Sequence, residues 1–229
     1  MASVTVSSGV TSSGFTISGG GSTLTVSAGG TIVDVTVENH ADGTISGVAS
    51  GTFVISGGTL DIDLGGEATA TTVGGPTLSG PLGILTVKSG GLTSLTQVGG
   101  TGIERIIGTG VGGTVNPGGQ VFASAGGVVS AYQVLNCGTL VAGASSTTSD
   151  CQLSSGSVES AQSGSVAIHT LVSSGGLLSA RGGTISNTQL LGGSASVSAG
   201  GRDVGTDIQS GGVETLFAGG VSVSATVNN

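Results

Sequence analysis

One spacing limits what this chain can fold into. Counting back from Ile208, apolar residues recur at Leu190, Val172, Leu153, Val134 and Val115, and forward at Val227. Three residues after most of them stands a glycine: Gly211, Gly193, Gly175, Gly156 and Gly118, with Cys137 as the exception. Two residues before them lie Thr206, Thr188, Thr170, Cys151, Tyr132 and Gly113. A second ladder, half a period away, runs through Val121, Leu140, Val158, Leu177 and Ala195. It breaks at Glu214, where the apolar position is expected to shift to Val213 or Leu216.

A fixed period of about 19 residues marks a solenoid. Within each period polar and apolar residues alternate, and a period of two means strands. The expectation is an all-β, right-handed parallel β-helix, because parallel crossovers are nearly always right-handed. Each coil should hold two short strands between two glycine-rich corners, since glycine takes positive φ at low cost. Coils stack at about 4.8 Å, so roughly 12 of them would make a rod about 58 Å long. The whole chain, 1–229, reads as a single β-helix domain. Residues 1–30 give N-terminal coils, where Val6, Ile17 and Val26 precede glycine corners, and 113–229 give regular repeats. Between them, 31–112 reads as degenerate coils with loop insertions such as ENHADG (38–43) and PTLSGPLG (76–83).

Composition agrees. There are 48 glycines, no tryptophan, one tyrosine and four phenylalanines, so any core must be thin and built from Val, Ile, Leu and Ala. Disorder goes with low hydrophobicity and high charge density, whereas this chain is 36% hydrophobic and only 7% charged. The net charge of −8, with Lys88, Arg105, Arg181 and Arg202 as the cations, argues against nucleic acid and anionic membranes as partners. No apolar run long enough for a membrane span is present. The start, MASVTVSSG, lacks the basic head and apolar stretch of a signal peptide, so the chain reads as a fragment or as exported by another route.

The segments TQLLGGSASVSAGG (188–201) and TDIQSGGVETLFAGG (206–220), with HTLVSSGGLLSARGG (169–183), resemble the passenger repeats of AIDA-type autotransporter adhesins. The opening VTVSSGVTSSGFTISGGGSTLTV is similar to the start of bacterial surface proteins built from this repeat. The resemblance covers 113–229 well, 1–30 fairly well and 31–112 weakly. It implies an extracellular or cell-surface β-helix with roles in adhesion, self-association and biofilm formation, and with sugars on Ser and Thr in some members. Self-association, end to end or side to side, and surface glycans or proteins are the partners it implies.

Several residues merit a chemical reading beside a structural one. Cys137 and Cys151 fall on neighbouring coils but five positions out of register, up to ~15 Å of chain path. A bridge needs Cα atoms within ~7 Å, so two small residues filling repeat positions is the preferred reading. Asp34, Glu38, Asp42, Asp61, Asp63 and Glu67 are half of all the acids. In TLDIDLGG, Leu60, Ile62 and Leu64 should face inward and leave Asp61 and Asp63 side by side outside. Calcium takes such oxygen ligands, but the GGxGxDxUx calcium repeat is absent, and an acidic solvated face explains the cluster as well. His169 should stand one coil above Asp150, a surface contact without a nucleophile or oxyanion donors beside it. Gln133, Gln152 and Gln189 share an outward ladder, interrupted by Leu171, in which amide stacking is expected. No catalytic, cofactor-binding or metal residue is assigned. Alternatives to adhesion are a β-helical polysaccharide lyase or hydrolase, for which convergent carboxylates and aromatic platforms are missing, and an ice-binding solenoid. The Thr-x-Thr triplets of the latter, in STLTV and EATATTV, do not recur in register.

Overall fold

A computed structural model describes residues 1–75 and 80–228. The chain winds through three parallel sheets of twelve strands each, so every coil contributes three strands rather than two. Ser3–Val6, Thr11–Ser13 and Thr16–Ser18 form the first coil, and Val213–Leu216, Val221–Val223 and Thr226–Val227 the last. Every strand-to-strand pairing is parallel and joins a strand to its counterpart one coil away, with isolated antiparallel bridges only at Gln162–Gly182 and Ser173–Gly192 among the described residues.

The strand missed from sequence lies behind a corner with no glycine signature. A single left-handed residue separates the second sheet from the third in every coil. Glycine fills it at Gly14, Gly51, Gly112 and Gly205, but elsewhere it is Asp34, Ala70, Leu95, Ala131, Asp150, His169, Asn187 or Ser224, all with φ between 52° and 62°. Left-handed φ costs an L-residue about 1–2 kcal/mol, which the stacked coils on either side must offset. The two corners that sequence does reveal work differently, because their paired glycines have separate jobs. Gly65 has φ +77 and open space around a would-be Cβ, whereas a Cβ on Gly66 would run into the carbonyl oxygen of Ile45 on the coil below. Serine replaces the second glycine at Ser146, Ser157 and Ser165, and each hydroxyl folds back to the carbonyl three residues earlier at 2.6–2.7 Å.

Coil length is nearly constant, as pairs such as Ser3 with Thr23 and Asp42 with Thr59 show, but one coil is markedly enlarged, where Thr59 pairs with Ile84. That enlarged coil contains PTLSGPLG, of which residues 76–79 lie outside the described residues. ENHADG, by contrast, is no insertion. Asn39 and His40 take positive φ in a tight corner, and the strand Asp42–Ile45 follows in register. The opening segment also sorts itself out: Val6 pairs with Val26 in the first sheet, while Ile17 belongs to the third.

A cross-section shows how thin the core is. In the coil that begins at Thr59, five side chains point inward: Leu60, Ile62, Ala68, Thr71 and Val73. Leu64 does not join them, because the strand ends at Ile62 and the corner leaves Leu64 exposed. The ladder from Val115 to Val227 forms the inward row of the third sheet, paired residue for residue as its spacing predicts. The second ladder needs correcting by one residue. Leu140 pairs with Glu159, not Val158, then Glu159 with Leu178, Leu178 with Ala195, and Ala195 with Glu214. No break occurs at Glu214; the inward row contains glutamates.

Candidate functional site

The outer surface repeats in part. Strand alternation sends every second residue to solvent, so one type at one repeat position becomes a row. On the second sheet Ser13, Ser50, Thr69, Ser94, Ser130, Ser149 and Ser186 belong to one outward row, interrupted by Val33, Val111 and Ile168. On the first sheet Thr5, Thr25 and Thr44 are stacked in register. The third sheet carries the glutamine row, Gln133 paired with Gln152, then Leu171, then Gln189. The register is as expected, but among the described residues no hydrogen bond joins those amides.

The early acids do not converge. Asp34 sits at a corner, Glu38 on the third sheet, Asp42 and Asp61 on the first, and Glu67 on the second. Asp61 and Asp63 do stand together outside, and Lys88 on the next coil binds both, with Nζ 2.9 Å from Asp61 and 2.7 Å from Asp63. Those two carboxylates, Asp63 foremost, raise the lysine's pKa. An ammonium therefore occupies the space between them where a cation would have to sit. Asp42 accepts a hydrogen bond from the Thr59 hydroxyl at 2.5 Å. Among the described residues no three His, Cys, Asp or Glu side chains gather closely enough to hold one metal ion.

His169 lies one coil from Asp150, with Nδ1 3.6 Å from Oδ1, and Asn187 stands 3.4 Å from its other nitrogen on the following coil. All three occupy the left-handed corner column, with more than half of the His169 and Asp150 side chains open to solvent. Cys137 and Cys151 are both free. Cys137 is exposed at a corner beneath Gly156, and Cys151 is buried in the column between Tyr132 and Thr170, where burial pushes its thiol pKa well up.

The residues that sequence reasoning missed are inside. Glu104 and Glu159 are fully enclosed. Glu104 accepts hydrogen bonds from Thr93 Oγ1 and Tyr132 Oη, both at 3.0 Å. Tyr132, the chain's one tyrosine, fits only because its neighbours are Gly110 and Gly113; a Cβ at Gly110 would lie 2.7 Å from the phenol oxygen. Glu159 is held by the hydroxyls of Thr148 and, at 3.1 Å, Thr170. Burial raises the Glu104 pKa to about 7, opposed by the Thr93 and Tyr132 hydrogen bonds, and burial raises Glu159 likewise against its two threonines. The third member, Glu214, lies in the last coil near Asp203, which accepts hydrogen bonds from Thr206 at 2.5 Å and Ser222 at 3.0 Å. Burial, then the Asp203 charge, raises its pKa too. The three glutamates are evenly spaced in the sequence, three coils apart each time. Glu104 and Glu159 are sealed from solvent, whereas Glu214 is partly exposed.

Two shallow grooves mark the outer wall. One, beside the enlarged coil, has a glycine floor of Gly74, Gly75, Gly99 and Gly100 with Thr72 and Asn116 at its rim. The other, on the first sheet, places Arg105, Phe122, Val141 and Gln162 together.

Comparison with models of known protein families gives no match, and neither does comparison with curated proteins. Among solved structures, the chain is similar to the TibC-catalysed, hyper-glycosylated fragment of TibA spanning its residues 55–350. The TM-score is 0.88 at 28% sequence identity, over 99% of this chain and 89% of that one. The likeness agrees with a β-helix of the autotransporter passenger type.

Proposed function

We propose that this chain is a non-catalytic bacterial β-helix, displayed on the cell surface or secreted, which acts in adhesion and self-association and so in biofilm or filament formation. The observation that carries the reading is the outward rows. They present hydroxyl or amide groups at coil spacing in runs of two to three coils, and weak contacts repeated at fixed spacing add up to avidity. The exposed carboxylates that stand together, Asp61 and Asp63, are both bound by Lys88, which leaves neither free as the acid or base that hydrolysis or elimination would need. The serine and threonine rows also suit glycan attachment, and the TibA fragment, whose fold this chain shares, carries sugars added by TibC.

The test is a settling assay on bacteria that lack their own adhesins. Cells displaying this chain should clump and sediment faster than cells displaying an unrelated β-helix, and equal rates would sink the adhesive reading. For the glycan half, co-expression with TibC should increase the intact mass by multiples of one sugar. An unchanged mass would remove glycosylation by that enzyme from the proposal.

A further inference from the structure

The first-sheet groove differs in charge from the rest of the surface. Twelve acidic residues give the chain its net charge of −8, yet between Lys88 and Arg181 the only acids are Glu104, Asp150 and Glu159. Glu104 and Glu159 point inward and are enclosed, and Asp150 sits at the corner between the second and third sheets. Over that stretch the outward face of the first sheet therefore carries no carboxylate. Two exposed arginines stand on it, Arg105 and Arg181. Among the described residues neither forms an ion pair, whereas Lys88 is taken up by Asp61 and Asp63.

Register places an aromatic ring beside Arg105. Thr86, Arg105, Phe122 and Val141 are successive partners in one outward row, on coils about 4.8 Å apart. The next outward column runs through Ser124, Gly143 and Gln162, and Gly143 interrupts it by having no side chain. The gap leaves a dip beside Val141 and Phe122, whose ring is half-buried. The groove holds about 490 Å³, within the range of small-ligand sites.

An acidic saccharide fits these residues. The Arg105 guanidinium is a planar fork that meets a carboxylate through two parallel hydrogen bonds. An aromatic face is electron-rich and attracts the positively polarised C–H groups on one side of a sugar ring. Ser124 and Gln162 bring a hydroxyl and an amide to sugar hydroxyls at the rim. An acidic peptide fits less well. Peptides bind sheets chiefly by adding a strand at an edge, and this groove lies on a face whose strands are paired on both sides. A sugar ring is also stiffer than a peptide and gives up less freedom on binding. The net charge of −8 does not forbid such a ligand. Physiological salt screens exposed charges beyond about 8 Å, so the local face decides.

We propose that the groove around Arg105 and Phe122 binds a carboxylated saccharide, a chain of uronic acid residues, with Arg105 holding a carboxylate and Phe122 a ring face. The inference rests on the adhesive reading above and gives it a ligand class. Arg181 follows Gln162 in the same column, four coils or about 19 Å along the rod from Arg105. A longer uronate chain therefore reaches both arginines and gains avidity.

Isothermal titration calorimetry of the full chain with tetragalacturonate tests it, beside neutral maltotetraose and tetraglutamate. Tetragalacturonate should bind with a Kd of about a millimolar or tighter, and the other two at least about tenfold more weakly. Arg105→Gln should weaken binding about tenfold or more, because a charged hydrogen bond is lost. Arg105→Lys should recover only part, keeping the charge without the fork. Phe122→Leu, which keeps bulk without the ring, should weaken binding several-fold. Arg202→Gln removes the same charge from the second sheet and should leave affinity unchanged. Melting temperatures matching the parent confirm that these variants, all on outward positions, remain folded. Equal losses in Arg105→Gln and Arg202→Gln would reduce the effect to general electrostatics and overturn the proposal. Tetraglutamate binding as tightly as tetragalacturonate would overturn it too, as would no binding of the latter up to about 10 mM. Cells that settle while the purified chain binds no uronate would remove this site and leave the adhesive reading standing; a chain that binds while cells stay dispersed would do the reverse.

Discussion

The protein should melt at a higher temperature at pH 5 than at pH 8, and Glu104 should account for much of the difference. An unfolded glutamate ionises near pH 4.5, while enclosed Glu104 keeps its proton up to about pH 7. Between those values the unfolded chain binds fewer protons than the folded one, so stability falls as pH rises through this window. The gap between the two values corresponds to ~3 kcal/mol, or ~6–12 °C for a chain of this size. Glu159 shifts in the same direction and adds to the effect. Glu104→Gln should remove its own share, flattening the profile and raising the melting temperature at pH 8. Lower net charge in acid also favours the compact state, and the substitution separates the two causes. A variant whose melting temperature varies with pH as steeply as the parent's would refute the assignment.

The second large effect concerns the glycine pairs. Gly65→Ala should cost about 1 kcal/mol, the penalty for a left-handed alanine with space around it. Gly66→Ala should cost more, about 2–4 kcal/mol, because the methyl group collides with backbone rather than with a movable side chain. To relieve it, the corner must lift from the coil below. That movement strains the hydrogen bonds from Asp63 N to Ile45 O and from Glu67 N to Gly47 O, both 2.9 Å. Thermal denaturation of the two variants side by side decides the point, and equal losses would mean that φ alone selects these glycines.

The third-sheet row was legible in the sequence because a three-part frame marks it: a Thr-like residue two places before, the apolar residue itself, and a glycine three places after. All three parts recur, so a slip by one would misplace every one of them. The first-sheet row lacks such a frame. Val158 and Leu177 are apolar and lie one residue from the true inward positions, so apolarity alone selects the wrong side of the strand. The signal that would have corrected it is polar, the recurrence of Glu104, Glu159 and Glu214 at equal intervals. The third strand of each coil escaped for a related reason. Its corner needs one residue at positive φ, and Asp34, Leu95 and His169 supply it without any glycine to announce the turn.

The thin core has an optical consequence. A cross-section of five side chains leaves no room for indole, and the chain has no tryptophan at all. Its ultraviolet fluorescence therefore comes from Tyr132, whose hydroxyl rests on the Glu104 carboxyl group. The same ring is wedged over Gly113, in the middle of the rod. A single chromophore thus reports on the protonation of one interior acid and on the integrity of the coils around it, with no label introduced.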